Sequence, residues 1–156
     1  MYQGDGRHDN PSVYGCLYVS DTEVAGVVEQ LAQFRGMRLA PQMLSRAGLR
    51  LALASIELDD EAEVIDLDEP LVLAGEGLRP SLVATRERSI TQPQALELYR
   101  RHAAAAALRW WSVHESLWAN VTVFDRAAPM LQLVDVRTLE LDDSVVVEAA
   151  ETLDLA

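Results

Sequence analysis

Apolar and polar positions change period several times along the chain, and each change marks an element. Tyr14 to Ser20 is a short apolar run that follows Gly4, Gly6, Asp9, Asn10 and Pro11, so a loop over Met1 to Ser12 leads into a strand. Val24, Val27, Val28, Leu31 and Phe34 then recur at helical spacing, with Ser20 and Glu23 at capping-box separation ahead of them and Gly36 as the stop. Leu49 to Glu57 predicts the next strand. Leu58 to Glu69 is dominated by acids and reads as a solvated turn or rim. After the breaks at Gly75, Gly77 and Pro80, Leu82 to Thr85 predicts a short extended segment. Thr91 and Gln94 form a second capping box with Pro93 in the first turn, and the helix it opens runs on through Ala107. Leu108 to Ser112, Val121 to Phe124 and Leu131 to Val136 predict three strands, and Ser144 to Leu153 a closing helix. The sum is an α+β protein without repeat or linker.

Composition narrows the class. The chain has 156 residues, 49% of them hydrophobic and 24% charged, which suits one domain with a substantial core. Its formal net charge of −12 disfavours nucleic acid as a direct partner, since such binding relies on neutralising phosphates. The 13 basic residues are all arginine, which biased base composition explains more economically than chemistry. A single cysteine, Cys16, forms no intrachain disulfide. With no apolar stretch of membrane-spanning length and no basic leader, the expected location is the cytoplasm, with no membrane partner.

Familiar signatures fail on inspection. His114-Glu115 begins a zinc-protease motif, but Trp118 stands where the second histidine belongs. Gly4 and Gly6 start a dinucleotide fingerprint, yet Asp9 replaces its third glycine. The acids from Asp59 to Glu69 lack the central glycine of a calcium loop. No metal is therefore expected.

Chemistry concentrates near the start. Arg7 on a loop, Tyr18 on a strand and Glu29 on a helix follow one another closely. A guanidinium suits a pyrophosphate, a phenol ring suits a flat cationic base, and a carboxylate suits a sugar cation, so the three together suggest a pocket that cleaves a dinucleotide. Glu29 sits at the edge of its helix's apolar stripe beside Ala25 and Ala32, whose small side chains leave room for a ligand. Each residue also has a bland reading: a solvated helical glutamate, a core tyrosine with its hydroxyl satisfied, and an arginine paired to Asp5 or Asp9. In Trp110-Trp111-Ser112, strand alternation puts Trp110 and Ser112 on one face, where the serine can bind a carboxamide or simply end the strand. No histidine and acid activate it as a nucleophile, and His114 reads as structural.

Gly6-Arg7-His8-Asp9-Asn10-Pro11, Tyr14-Gly15-Cys16-Leu17-Tyr18-Val19-Ser20, Ala25 to Glu29 and Trp110-Trp111-Ser112 together resemble the RES domain family, named for its arginine, glutamate and serine. The likeness extends through the strand from Leu49, the helix after Thr91 and the segment from Val145 to Leu153. It implies an ADP-ribosyltransferase-like fold, with mixed and antiparallel strands around a cleft and a few flanking helices. It also implies a bacterial toxin that destroys NAD by hydrolysis or phosphorolysis, restrained by an antitoxin carrying a helix-turn-helix DNA-binding module; a homo-oligomer is compatible with it. NAD is then the substrate, phosphate a candidate co-substrate, and no cofactor is required. Carried over by residue, Arg7 holds the pyrophosphate, Tyr18 packs on the nicotinamide, Glu29 is the signature glutamate and Ser112 the signature serine, with Arg7 and Glu29 catalytic. Family members usually carry an earlier segment with another pocket arginine and an adjacent aromatic. The sequence as given starts too late to contain it, so residues 1–156 read as one RES domain, short at its N-terminus, in which NAD binding is weakened. Two alternatives remain: ADP-ribosyl transfer to a macromolecule, and a catalytically silent binding protein of the same fold.

Overall fold

A four-stranded sheet carries the first part of the molecule, in the order β1 (Cys16–Ser20), β7 (Ala119–Phe124), β6 (Ala107–Trp111) and β5 (Val64–Asp66). These elements belong to a computed structural model that describes residues 4–115 and 117–155; the first three residues of the expected N-terminal loop lie outside that range. The chain divides into two compact units, one made of Met1–Val19 and Leu58–Leu131, the other of Ser20–Glu57 and Gln132–Ala156.

In the first unit β6 runs parallel to β5, with Ile65 opposite Leu108, and antiparallel to β7, with Trp110 opposite Asn120. The sheet packs on α4 (Arg88–Arg101), whose Ala95 and Leu98 are buried in the same cluster as Leu108 and Phe124. Phe124, 1% exposed, meets Tyr14 and Tyr99 edge-on at 5.0 and 4.9 Å between ring centroids. Arg126 lays its guanidinium 3.4 Å over the Tyr99 ring and donates to the carbonyls of Tyr99 and His102, closing the end of α4.

The second unit pairs α1 (Glu23–Leu31) with α5 (Ser144–Thr152). Ala25, Val28 and Leu31 on α1, and Val146, Ala149 and Ala150 on α5, are buried. A two-stranded sheet of β4 (Ala52–Leu58) and β8 (Leu131–Thr138) and a hairpin of β2 (Ser45–Arg46) and β3 (Leu49–Arg50) complete it.

Several expectations need correction. The first helix is capped by Thr22, whose hydroxyl accepts from the Ala25 amide at 3.2 Å; Ser20 lies two residues too early. Leu49 and Arg50 leave the predicted strand for the hairpin, whose turn places Ala47 and Gly48 at φ 52° and 80°. Ala-Gly is a weak signal for a turn that needs two left-handed residues, so the pattern hid it. The acidic run is no mere rim: Ile65 and Leu67 are buried, and Arg109 bonds both oxygens of Asp66 and reaches Asp68. Of the predicted extended segment Leu82 to Thr85, Leu82 and Val83 instead end a single helical turn, α3 (Pro80–Val83). It is the shorter neighbour of α2 (Pro70–Gly75), and each opens with proline at its first helical position. Helix α4 starts three residues before the predicted box, leaving Pro93 inside it, and stops at Arg101. Of the alanines beyond it, Ala103 and Ala104 form an exposed turn and Ala107 opens β6; Ala105, Ala106 and Ala107 are fully enclosed, and packing overrides their helix preference.

Candidate functional site

The loop from Gly4 to Asn10 is held from three sides, and that explains how a short glycine-containing segment presents an arginine in one orientation. From α4, Thr91 donates its hydroxyl to the Arg7 carbonyl at 2.6 Å and Gln92 donates to the Gly6 carbonyl at 2.9 Å. Asn10 returns a bond to the Gln92 carbonyl at 3.0 Å. From the sheet, His8 and Thr122 share a hydrogen bond of 2.8 Å, and the Trp110 indole donates to the same Thr122 oxygen at 3.1 Å. From β1, the Tyr18 hydroxyl accepts from the His8 amide at 2.9 Å and donates to Asp9 at 2.7 Å.

Arg7 projects over the Trp110 ring, with Cζ 4.4 Å from its centroid, and donates to the Val83 carbonyl at 2.5 Å. A guanidinium is a planar fork that suits a planar oxyanion. Asp5 meets Arg88 at 3.4 Å, and Asp9 accepts from the amides of Gly4 and Gly6, the Tyr18 hydroxyl and the Cys16 thiol.

Electrostatics follow from enclosure. Burial pushes the His8 imidazole down to about 3, helped by the neighbouring Arg7 charge, with Asp9 opposing, so His8 is neutral at physiological pH. For Asp9 burial acts the other way, but the bonds from Gly4, Tyr18, Gly6 and Cys16 outweigh it and hold the carboxyl below its ordinary value. Burial, then the bond to Asp9, raises Tyr18, which stays a phenol, and burial lifts Cys16 to about 12, leaving its thiol unreactive.

The predicted residues therefore fall as follows. Arg7 and Tyr18 are brought together, linked through His8 and Asp9, and Tyr18 as a residue remains 39% exposed while its hydroxyl is hydrogen-bonded to both. Ser112 is buried just past the end of β6; its amide donates to the Trp118 carbonyl and its hydroxyl accepts from the His114 amide at 3.1 Å. Glu29 is half-buried on α1 and belongs to the second unit.

Sequence reasoning gave no part to His8, Asn120 or Thr122, all buried. The signal was there for the last two. In Asn120-Val121-Thr122-Val123 the polar residues alternate with valines, and cross-strand pairing puts them on the face that carries Leu108 and Trp110. Among the described residues no group of three or more histidine, cysteine or acidic side chains is placed to hold a metal ion. None of their helices is long and apolar enough to cross a membrane.

A family model described as RES domain matches residues 2–145. The chain belongs to the RES domain family. Among solved structures, a chain of the M. tuberculosis MbcT-MbcA toxin-antitoxin complex resembles this RES domain with a TM-score of 0.61 and 18% identity, over 96% of this chain and 75% of the other. The likeness establishes an α+β, ADP-ribosyltransferase-like fold, as the sequence led us to expect. No curated protein matches.

Proposed function

We propose that this RES domain is a toxin that cleaves NAD between nicotinamide and ribose and is restrained by a cognate antitoxin. The observation that carries the reading is the grouping of Arg7, stacked on Trp110, with the exposed ring of Tyr18 on one braced loop and strand. The guanidinium supplies a fork for a pyrophosphate, and the phenol ring supplies a face for a cationic base. Ser112, just past the end of the strand that carries Trp110, is assigned the carboxamide or a ribose hydroxyl.

The scissile bond joins ribose C1′ to a pyridinium nitrogen. As it breaks, its electron pair neutralises the nicotinamide, which leaves without needing a proton. Positive charge develops on the ribose, and we assign Glu29 to stabilise it and to orient the acceptor. Water, losing a proton, then gives ADP-ribose; phosphate gives its phosphorylated form. The partner rests on the family and on the similar structure, whose title names a toxin-antitoxin complex. We assign the antitoxin a helix-turn-helix DNA-binding module.

The test is incubation of purified protein with NAD, with and without phosphate, followed by chromatography of the products. Free nicotinamide with ADP-ribose or its phosphorylated form is expected. Intact NAD contradicts the reading, and ADP-ribose label retained on a macromolecule replaces cleavage with transfer.

A further inference from the structure

We propose that Asp9 is a positioning residue, whose carboxylate fixes the Tyr18 hydroxyl and the Gly4 to Gly6 turn and so sets where the Tyr18 ring and the Arg7 guanidinium meet a nucleotide. The proposal rests on the NAD reading above and assigns a part to a side chain which that reading leaves idle.

The carboxylate is 5% exposed and is satisfied by four neutral donors. Oδ2 accepts from the amides of Gly4 at 2.6 Å and Gly6 at 2.8 Å, while Oδ1 accepts from the Tyr18 hydroxyl at 2.7 Å and the Cys16 thiol at 3.2 Å. An ionised carboxylate accepts at both oxygens and donates nowhere, so it alone among side chains of this size matches four converging donors. An asparagine offers one oxygen, and its amide nitrogen must face either the two backbone N–H groups or the hydroxyl and thiol.

The consequence for Tyr18 is directional. Its one hydroxyl proton is committed to Asp9, and the oxygen accepts from the His8 amide, so the phenol is pinned at its far end while the ring stays open to a ligand. The same contact explains Gly6. A Cβ there would stand 2.4 Å from the Tyr18 hydroxyl and 2.5 Å from Asp9 Oδ1, closer than real atoms approach. The glycine ahead of Arg7 is thus required by the meeting of Asp9 and Tyr18. Gly6, Asp9 and Tyr18 form one contact, and Arg7 is the residue that the contact delivers.

Such a role predicts coupling, which separates it from general support of the fold. Asp9→Asn and Tyr18→Phe should each raise KM for NAD about tenfold, the scale of a hydrogen bond to a charged group, with kcat changed less than about threefold. The double variant should be no worse than the poorer single variant, because both break the bond between the Tyr18 hydroxyl and Asp9. Gly6→Ala leaves the carboxylate in place and forces it from the hydroxyl, so it should reproduce the KM rise and replaces Asp9→Asn if that protein does not fold. Active wild-type protein whose single variants keep the wild-type KM, or whose effects multiply in the double variant, overturns the role of Asp9 alone. Wild-type protein that neither binds nor cleaves NAD overturns the NAD reading and this proposal together.

Discussion

The two units bury different kinds of residue. Every buried polar side chain among the described residues, His8, Asp9, Thr91, Ser112, Asn120 and Thr122, belongs to the first unit, whereas the buried positions of the second, such as Val28, Leu31 and Val146, are apolar. Burying polar groups costs free energy unless each is hydrogen-bonded, and no buried side-chain nitrogen or oxygen among the described residues lacks a partner. The first unit therefore carries a network that fixes a loop, and the second carries a helix pair held by apolar packing. Chemistry that depends on orientation is assigned to the network.

The contrast can be broken by substitution. The largest expected effect is in the aromatic cluster of the first unit: Phe124→Ala should cost about 3–5 kcal/mol in denaturant unfolding, by lost transfer energy and the cavity left behind. Thr122→Val comes next, at about 2–3 kcal/mol, because one hydroxyl serves both His8 and the Trp110 indole and its removal leaves two buried groups unpaired. A cost near zero would mean that the network is not sharing that oxygen.

Acid should then destabilise the protein through the buried network of the first unit. The folded protein resists protonation of His8 down to about 3, while the unfolded chain accepts a proton near the ordinary value of 6.5. Stability from this group is complete above that value and is lost as pH falls below it, by about 1.4 kcal/mol per unit, or about 2 kcal/mol between pH 7 and pH 5. The depressed Asp9 carboxyl acts in the same direction only at still lower pH. Comparing Tm at pH 7 and pH 5 for wild type and His8→Asn checks this; the variant should lose less stability over that interval. The smallest effect belongs to the second unit, where Thr22→Ala removes the cap of α1 and should cost about 1 kcal/mol with little change in the pH dependence.

How much of this could be read from the sequence follows from the same contrast. Sequence pattern located β1, β7 and β8 as short apolar runs and α1 and α5 as apolar stripes at helical spacing. It failed at Val64 to Asp66, where acidic neighbours masked a three-residue strand paired to the distant Ala107, and at the alanine run, where enclosure outweighed propensity. Arg7, Tyr18, Glu29 and Ser112 could be singled out because their side chains have recognisable chemistry. What holds Arg7 and Tyr18 could not, because His8 to Thr122 and Arg7 to Thr91 are contacts across 114 and 84 residues. Such pairings have no local signature.

The central claim is tested most directly by NAD turnover of wild type beside Glu29→Gln, measured as nicotinamide released per enzyme with unfolding curves recorded on both. The account predicts a folded variant whose turnover falls about a hundredfold or more, the scale of losing one group that stabilises transition-state charge. Equal turnover in the two proteins would contradict it and remove Glu29 from the mechanism.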